Sequence, residues 1–214
     1  MATVAVIDYG MGNLHSIEKA LKTVSPESQV IVTADPAVIL AAEHIVFPGV
    51  GAMRDCMNAI QESGLDQIIK QVAKNKPLLG ICIGMQALLA HSEENDGIDC
   101  LDIFPGNAIK FPKGASNSHG DKLKIPHMGW SNVHYNQNEP LFKGIKQDER
   151  FYFVHSYHAV NLDKRIVAAT ADYPDSFPCA IKHNNIVAVQ FHPEKSQQAG
   201  LQLLKNFLNW DGQS

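Results

Sequence analysis

The chain has 214 residues, a formal net charge of −4 and 45% hydrophobic residues. This length and apolar content exclude a disordered chain and predict a single domain over residues 1–214 with a sizeable core. The charge gives no reason to expect a nucleic acid or an anionic membrane as a partner. No apolar run reaches the roughly 18 residues of a membrane span, and no basic leader opens the chain, so a cytoplasmic protein is expected.

Strands and helices alternate along the first half of the chain. Apolar, β-branched runs predict strands at 3–8, 29–33, 43–47 and 77–81, and helical spacing predicts helices at 14–24, 52–61, 65–74 and 84–91. Such alternation is typical of an α/β fold in which helices cover a mostly parallel central sheet.

The second half has a different pattern, with short strands separated by turns. They are predicted at 107–111, 131–135, 151–155, 166–170, 180–182 and 186–191. This spacing predicts additional antiparallel strands. The polar stretches 93–102 and 113–120 are expected to be surface loops. Ser196 could cap a last helix, whose apolar face would carry Leu201, Leu204, Phe207 and Leu208.

A candidate nucleophile lies where the fourth strand meets a helix. Residues 80–84 read GICIG, the form of a nucleophile elbow with Cys82 in the central position. Glycines are expected around such a residue because the sharp turn leaves no room for side chains, and a helix N-terminus would favour a thiolate. A buried structural cysteine is the alternative. The four cysteines show neither a CxxC pair nor metal-ligand spacing, so no metal and no cofactor are predicted.

A candidate base follows the last strand, in His192-Pro193-Glu194. The proline favours extended backbone at His192, and in extended chain positions i and i+2 face the same way. Glu194 could therefore hold the imidazole of His192 in the tautomer that a general base needs. An exposed loop histidine is the alternative.

A glycine-rich loop, Pro48-Gly49-Val50-Gly51, follows the third strand. Backbone N–H groups of such a loop can point at a developing oxyanion, although most Pro-Gly turns are only turns. Sites in open parallel sheets collect at the carboxyl ends of the strands, where this loop and Cys82 would both lie.

Three motifs in this order carry a family resemblance: PGVG at 48–51, GICIGMQ at 80–86 and FHPEKS at 191–196. The sequence resembles the class I, triad-type glutamine amidotransferases. Further motifs are similar to those of the glutaminase subunits of imidazole glycerol phosphate synthases: IDYGMGNL at 7–14, PHMGW at 126–130 and YFVHSYH at 152–158. Together these motifs cover nearly the whole chain.

The resemblance implies a reaction and a set of site residues. Cys82 would attack the side-chain amide carbon of glutamine, His192 would activate the thiol and protonate the departing ammonia, and Glu194 would orient His192. The resemblance assigns the oxyanion site to Gly49, Val50, Gly51 and the backbone amide of Ile83, and the holding of glutamine to Gln86, His155, Ser156 and Tyr157.

The resemblance also implies a heterodimer with the (β/α)8-barrel cyclase subunit of imidazole glycerol phosphate synthase. Ammonia would pass through the barrel, where imidazole glycerol phosphate and an aminoimidazole carboxamide ribotide are made in histidine biosynthesis. The implied partner face carries Asn13, Met128, Trp130 and Lys195. A core tryptophan and a solvated lysine are the alternatives for two of these. The family usually has Asn after PHMGW, and Ser131 here could change one interface hydrogen bond.

Three other functions are compatible with these motifs. A related glutaminase could supply ammonia to a sugar amidotransferase, and the identity of the partner would distinguish it. A stand-alone Cys–His–Glu hydrolase or peptidase would be fully active without a partner. A non-catalytic interaction module is disfavoured because Cys82, His192 and Glu194 are all present.

Overall fold

The computed structural model describes residues 2–114, 116, 122–136 and 139–213. The helices are α1 (Leu14–Val24), α2 (Pro36–Ala41), α3 (Met53–Glu62), α4 (Leu65–Val72), α5 (Ile83–Ala87) and α6 (Gln197–Leu208). The strands are β1 (Thr3–Ile7), β2 (Gln29–Thr33), β3 (His44–Gly49), β4 (Leu78–Cys82), β5 (Leu89–Ser92), β6 (Ile98–Asp99), β7 (Phe104–Lys110), β8 (His127–Asn132), β9 (His134–Tyr135), β10 (Arg150–His155), β11 (Tyr157–Val160), β12 (Val167–Asp172), β13 (Ser176–His183) and β14 (Ile186–Val189). Short 3-10 turns cover Glu94–Asp96, Pro140–Phe142, Lys164–Ile166 and Pro193–Lys195.

The central sheet has eight strands in the order β2-β1-β3-β4-β14-β13-β12-β9. Its first five strands are parallel and its last four pair antiparallel, so β14 belongs to both parts. β1, β3, β4 and β14 are almost fully buried, as expected for strands covered on both faces. The predicted α/β fold with added antiparallel strands in the second half is confirmed.

Two smaller sheets complete the fold. β10 pairs with β8, and a second sheet has the order β11-β7-β5-β6. In the first of these, His155 lies opposite His127 and Tyr152 opposite Trp130. β10 leads into β11 through Ser156, which brings the 152–158 segment beside the end of β4.

Several predicted elements differ from the structure. The helix predicted at 84–91 ends at Ala87, and the chain continues as β5 because residues 89–92 pair with β7. The predicted strand 131–135 is divided between β8 and β9, and α2 and β11 were not predicted. The predicted loop 93–102 contains a 3-10 turn and β6. Much of the predicted loop at 113–120 lies outside the described residues.

α6 begins after Ser196 as predicted, but the side chain of Ser196 does not cap it. Ser196 Oγ instead donates to the His192 carbonyl at 2.6 Å and accepts from the Tyr152 amide at 3.0 Å. Ser196 therefore links the backbone of His192 to the backbone of β10. The buried side of α6 carries Leu203, Leu204 and Phe207. Leu201 and Leu208 are only partly buried.

Candidate active site

Cys82 lies at a sharp turn between β4 and α5. Its backbone has φ 55° and ψ −110°, a conformation that is energetically unfavourable for any residue other than glycine. The turn also brings backbones together, because a Cβ on Gly84 would lie 2.0 Å from the Phe47 carbonyl oxygen and one on Gly80 would lie 3.0 Å from Ala188 Cβ. Packing therefore requires glycine at position 84 and leaves little room for a side chain at position 80, and the strained turn presents the sulfur at the carboxyl end of β4.

His192 and Glu194 form a buried pair beyond the end of β14. His192 has extended backbone, with φ −102° and ψ 96°, whereas residues 193–195 form a 3-10 turn instead of the expected extended chain. The turn still places Glu194 Oε1 2.9 Å from His192 Nδ1, with side-chain exposures of 0% and 2%. Because the carboxylate can only accept, Nδ1–H donates and the Nε2 side of the ring is left for another group.

The pKa of His192 depends on opposing effects. Burial alone would lower it, but the neighbouring Cys82 first and Glu194 second raise the pKa of His192 to about 10. Among the described residues no group completes a hydrogen bond with His192 Nε2. A cationic ring beside the sulfur stabilises a thiolate.

The sulfur of Cys82 is only slightly accessible, at 4% exposure of the residue. It lies 3.9 Å from the Val154 carbonyl oxygen, and Gln190 Nε2 lies 3.7 Å away as a donor. Gln190 is fully buried and was not identified from the sequence. The sequence does mark Gln190, because it is a single polar residue within the apolar run 186–191.

A cavity of about 260 Å³ opens beside the sulfur. Its lining is Val50, Gly51, Cys82, Ile83, Gln86, Pro126, Val154, His155, Ser156, Tyr157 and His192. The structure thus brings the proposed nucleophile and base together with most of the predicted oxyanion residues and all four predicted glutamine-binding residues. Pro126 and Val154 were not among the predicted site residues.

Gly49 and Glu194 lie behind this lining and support it. The Tyr9 hydroxyl donates to the Pro48 carbonyl at 2.8 Å, and a Cβ on Gly49 would lie 2.4 Å from that hydroxyl oxygen. Gly49 is therefore needed for Tyr9 to hold the start of the glycine-rich loop. Tyr9 was not predicted to belong to the site, although it lies in the 7–14 motif.

In the inner wall of the cavity, two side chains form hydrogen bonds to the same backbone carbonyl, that of Tyr157. Gln86 Nε2 donates to the Tyr157 carbonyl at 2.9 Å and to Gln190 Oε1 at 2.8 Å. His155 Nδ1 also bonds the Tyr157 carbonyl, at 2.8 Å. Burial lowers the pKa of His155 to about 3, so its ring is neutral and serves as a fixed part of the wall.

The predicted partner face lies outside the cavity. Met128 is 62% exposed and Trp130 is 41% exposed on one face of β8, so Trp130 is not a core residue. Trp130 packs edge-on against Tyr152 with ring centroids 5.9 Å apart, and Lys195 Nζ lies 5.9 Å from the centre of the same Tyr152 ring. Asn13 directly precedes α1, which packs against the turn that contains Lys195.

In the described part of the chain, none of the helices is long and apolar enough to cross a membrane. In the same residues, no group of three or more His, Cys, Asp or Glu side chains is arranged to hold a metal ion.

The sequence of the chain is similar to those of known proteins over nearly its whole length. Residues 5–210 match the family model of class I glutamine amidotransferases. The chain is 56% identical to the imidazole glycerol phosphate synthase subunit HisH of Methylococcus capsulatus, over 99% of this chain and 98% of the relative. It is 51% identical to subunit HisH 1 of Pseudomonas aeruginosa, over 99% of each chain.

Solved structures show the same fold at low sequence identity. The chain is similar to PurLQS from Thermotoga maritima, with a TM-score of 0.69, 17% identity and coverage of 97% of this chain and 98% of that one. A glutamine amidotransferase from Thermotoga maritima matches with a TM-score of 0.65 and 15% identity, over 100% and 99% of the two chains. The chain therefore belongs to the class I glutamine amidotransferase family and, within it, groups with the HisH subunits.

Proposed function

We propose that this protein is the glutaminase subunit of an imidazole glycerol phosphate synthase. It hydrolyses glutamine to glutamate and ammonia, and the ammonia passes to a (β/α)8-barrel cyclase subunit of the histidine pathway. The proposal rests mainly on one observation: Cys82, His192 and the four glutamine-binding candidates line the same cavity. A cytoplasmic location is part of the same proposal.

The first half of the reaction forms a thioester. In the resting site His192 holds the proton of the Cys82 thiol as a cationic ring, and the sulfur attacks the side-chain amide carbon of glutamine. The amide of Ile83 and the loop at 49–51 stabilise the negative oxygen that develops on that carbon. The carbon–nitrogen bond then breaks as His192 returns its proton to the leaving nitrogen, which departs as ammonia.

The second half of the reaction regenerates the enzyme. His192, now neutral, removes a proton from a water molecule that attacks the γ-glutamyl thioester. The carbon–sulfur bond breaks, glutamate is released and Cys82 recovers its thiol or thiolate. Glu194 supports both halves, because its hydrogen bond to Nδ1 keeps Nε2 directed towards the sulfur and stabilises the cationic ring.

The partner would dock on the face that carries Met128 and Trp130. Exposed aromatic and methionine side chains are typical anchors of protein interfaces. In the complex the ammonia would pass to the cyclase without release into bulk water. The high identity to HisH subunits favours the histidine-pathway acceptor over a sugar acceptor.

The test is glutamate release from glutamine, measured with and without a barrel cyclase and its nucleotide substrate. Strong activity only in the complex would support the proposal. Equal, high activity of the isolated chain would identify a free-standing hydrolase. Activation by a sugar amidotransferase, but not by the cyclase, would assign the other acceptor.

A further inference from the structure

The inward face of β8 carries a row of hydrogen bonds that leads to the cavity. Ser131 Oγ lies 2.9 Å from His127 Nε2, and His127 Nδ1 lies 3.0 Å from His155 Nε2. His155 Nδ1 then bonds the Tyr157 carbonyl at 2.8 Å. His127 and His155 are buried at 3% and 6% exposure, and neither belongs to the proposed triad.

The chemistry of the last acceptor fixes the direction of every bond in this row. A carbonyl can only accept, so His155 Nδ1 carries the proton and the Nε2 of a neutral ring must accept. His127 Nδ1 therefore donates to His155, and His127 Nε2 accepts from the hydroxyl of Ser131. Burial lowers the pKa of His127 to about 4 and that of His155 to about 3, so both rings are neutral at pH 7.

The row ends on the group that orients Gln86. The Tyr157 carbonyl accepts from His155 and also from Gln86 Nε2, and Gln190 Oε1 accepts from the same Gln86 nitrogen. With both contacts on the nitrogen, Gln86 Oε1 has no hydrogen-bond partner among the described residues although it is buried. A buried acceptor in a cavity wall is poised for a donor on a bound molecule.

We propose that His127 is a positioning residue for glutamine binding. Its Nδ1–H holds His155 in the orientation that fixes the Tyr157 carbonyl, and this carbonyl in turn holds Gln86 with Oε1 available to the substrate. Ser131 sets the tautomer of His127 from the outer end of the row. The inference rests on the proposed function, since it names what shapes the glutamine pocket of that same site.

The main test compares two substitutions at His127 in the complex with the cyclase. His127→Phe keeps a ring that can stack on Tyr173, 3.9 Å away between centroids, but removes both hydrogen bonds. We expect the KM for glutamine to rise about tenfold with kcat changed by less than about twofold, as for the loss of one or two hydrogen bonds. His127→Asn places an amide donor near the position of Nδ1, and its KM should rise by less than about threefold.

Variants of Ser131 test the outer end without disturbing the buried rings. Ser131→Ala removes the donor to His127 Nε2 and should raise the KM by about threefold, while Ser131→Thr retains a hydroxyl and should keep the wild-type KM. A fall in kcat or in active enzyme with unchanged KM in His127→Phe would show a merely structural role and overturn the inference. If His127→Phe does not fold, the two Ser131 variants decide the question by the same criterion.

The tautomers give a readout that does not depend on activity. Nitrogen-15 NMR of the wild-type chain should show His127 and His155 neutral and protonated at Nδ1 near pH 7. An Nε2-protonated His155 would overturn the inference even if glutaminase activity is normal. A wild-type complex with no glutaminase activity but the expected tautomers would instead overturn the proposed function, and the row would then position Gln86 for another ligand.

Discussion

At the scale of single residues, the site depends on one strained cysteine and one buried ion pair. The positive φ of Cys82 is maintained by the close packing of Gly84 against β3. His192 is held from both sides, by Glu194 at Nδ1 and by Ser196 at its carbonyl oxygen. The proposed base therefore has little freedom to rotate away from the sulfur.

Replacing the nucleophile separates chemistry from assembly. Cys82→Ala should abolish glutamine hydrolysis while leaving cyclase binding intact, because Cys82 lies inside the cavity and Met128 and Trp130 lie on the outer surface. Glutamate release and the affinity for the cyclase would be measured together. Cys100→Ala, at a half-buried cysteine outside the cavity lining, is the matched control and should remain active. Near-normal hydrolysis by Cys82→Ala would disprove the mechanism.

Removing the charge of Glu194 tests its orienting role. Glu194→Gln offers Nδ1 a neutral acceptor of the same shape, so the cationic ring of His192 loses its charged partner. We expect kcat to fall about 100-fold or more, within the range for general acid–base groups, with little change in KM. Glu18→Gln, in the surface pair with Lys22, is the control and should have wild-type kinetics. A kcat within about twofold of wild type for Glu194→Gln would exclude Glu194 from the catalytic set.

At the scale of secondary-structure elements, the two faces of β8 make different contacts, one within the chain and one with solvent. His127 and Ser131 point inward to the row of hydrogen bonds, whereas Met128 and Trp130 are exposed. The family usually has Asn at position 131, and the sequence predicted an effect of Ser131 on the interface. The structure places the serine hydroxyl on His127 within the chain.

Replacing the exposed tryptophan of β8 should weaken assembly more than folding. Trp130→Ala removes a side chain that contacts Tyr152 but is 41% exposed, so we expect the affinity for the cyclase to fall by about 2 kcal/mol, as at an interface hot spot. Trp210→Ala is the matched control, because Trp210 packs near Lys182 on another surface and should affect stability only. Affinity and the free energy of unfolding would be measured for both. Unchanged affinity with a large loss of stability in Trp130→Ala would contradict the interface role.

The elements also show which parts of the fold the sequence could predict. Helix α1 and strand β2 have the predicted bounds because their apolar spacing is unambiguous. The apolar run after α5 reads equally well as helix or strand, and only its pairing with β7, distant in sequence, makes it β5. α2 was missed although Asp35 caps it and Pro36 opens it, which are recognised start signals.

The site shows the same division between local and long-range information. Cys82, His192 and Glu194 lie in short motifs whose residue types indicate a nucleophile and an oriented base. His127 and Tyr9 act through contacts with residues 28 and 39 positions away along the chain, and such contacts leave no local pattern. Gln190 stands out in the sequence as a polar residue in an apolar run, but its contact with Cys82, 108 positions away, does not. Their roles follow only from the folded structure.

At the scale of the whole molecule, the two halves of the chain share one sheet and one core. β14 from the second half lies beside β4 from the first, and the buried apolar residues form one cluster. We propose on this basis that residues 1–214 are a single domain. Its unfolding should then be one cooperative transition, which makes a single free energy of unfolding meaningful.

The buried, neutral histidines should make this free energy depend on pH. The pKa of His127 is lowered from 6.5 to about 4 by burial, so below pH 6.5 the unfolded chain binds a proton that the folded chain does not. The stabilisation is therefore present above pH 6.5 and is lost as the pH falls towards 4. Between pH 7 and pH 5 the loss attributable to His127 is about 2 kcal/mol.

Urea unfolding at pH 7 and pH 5 would measure this loss in the wild type and in His127→Phe. The variant should lose about 2 kcal/mol less than the wild type between the two conditions, whatever its stability at pH 7. His192 hardly affects the comparison, because its raised pKa keeps it protonated in the folded state throughout, so its contribution to stability changes mainly above pH 6.5. His15→Phe, at an exposed position of α1, is the control and should behave as the wild type. Equal losses in His127→Phe and the wild type would mean that His127 is not held neutral by the fold.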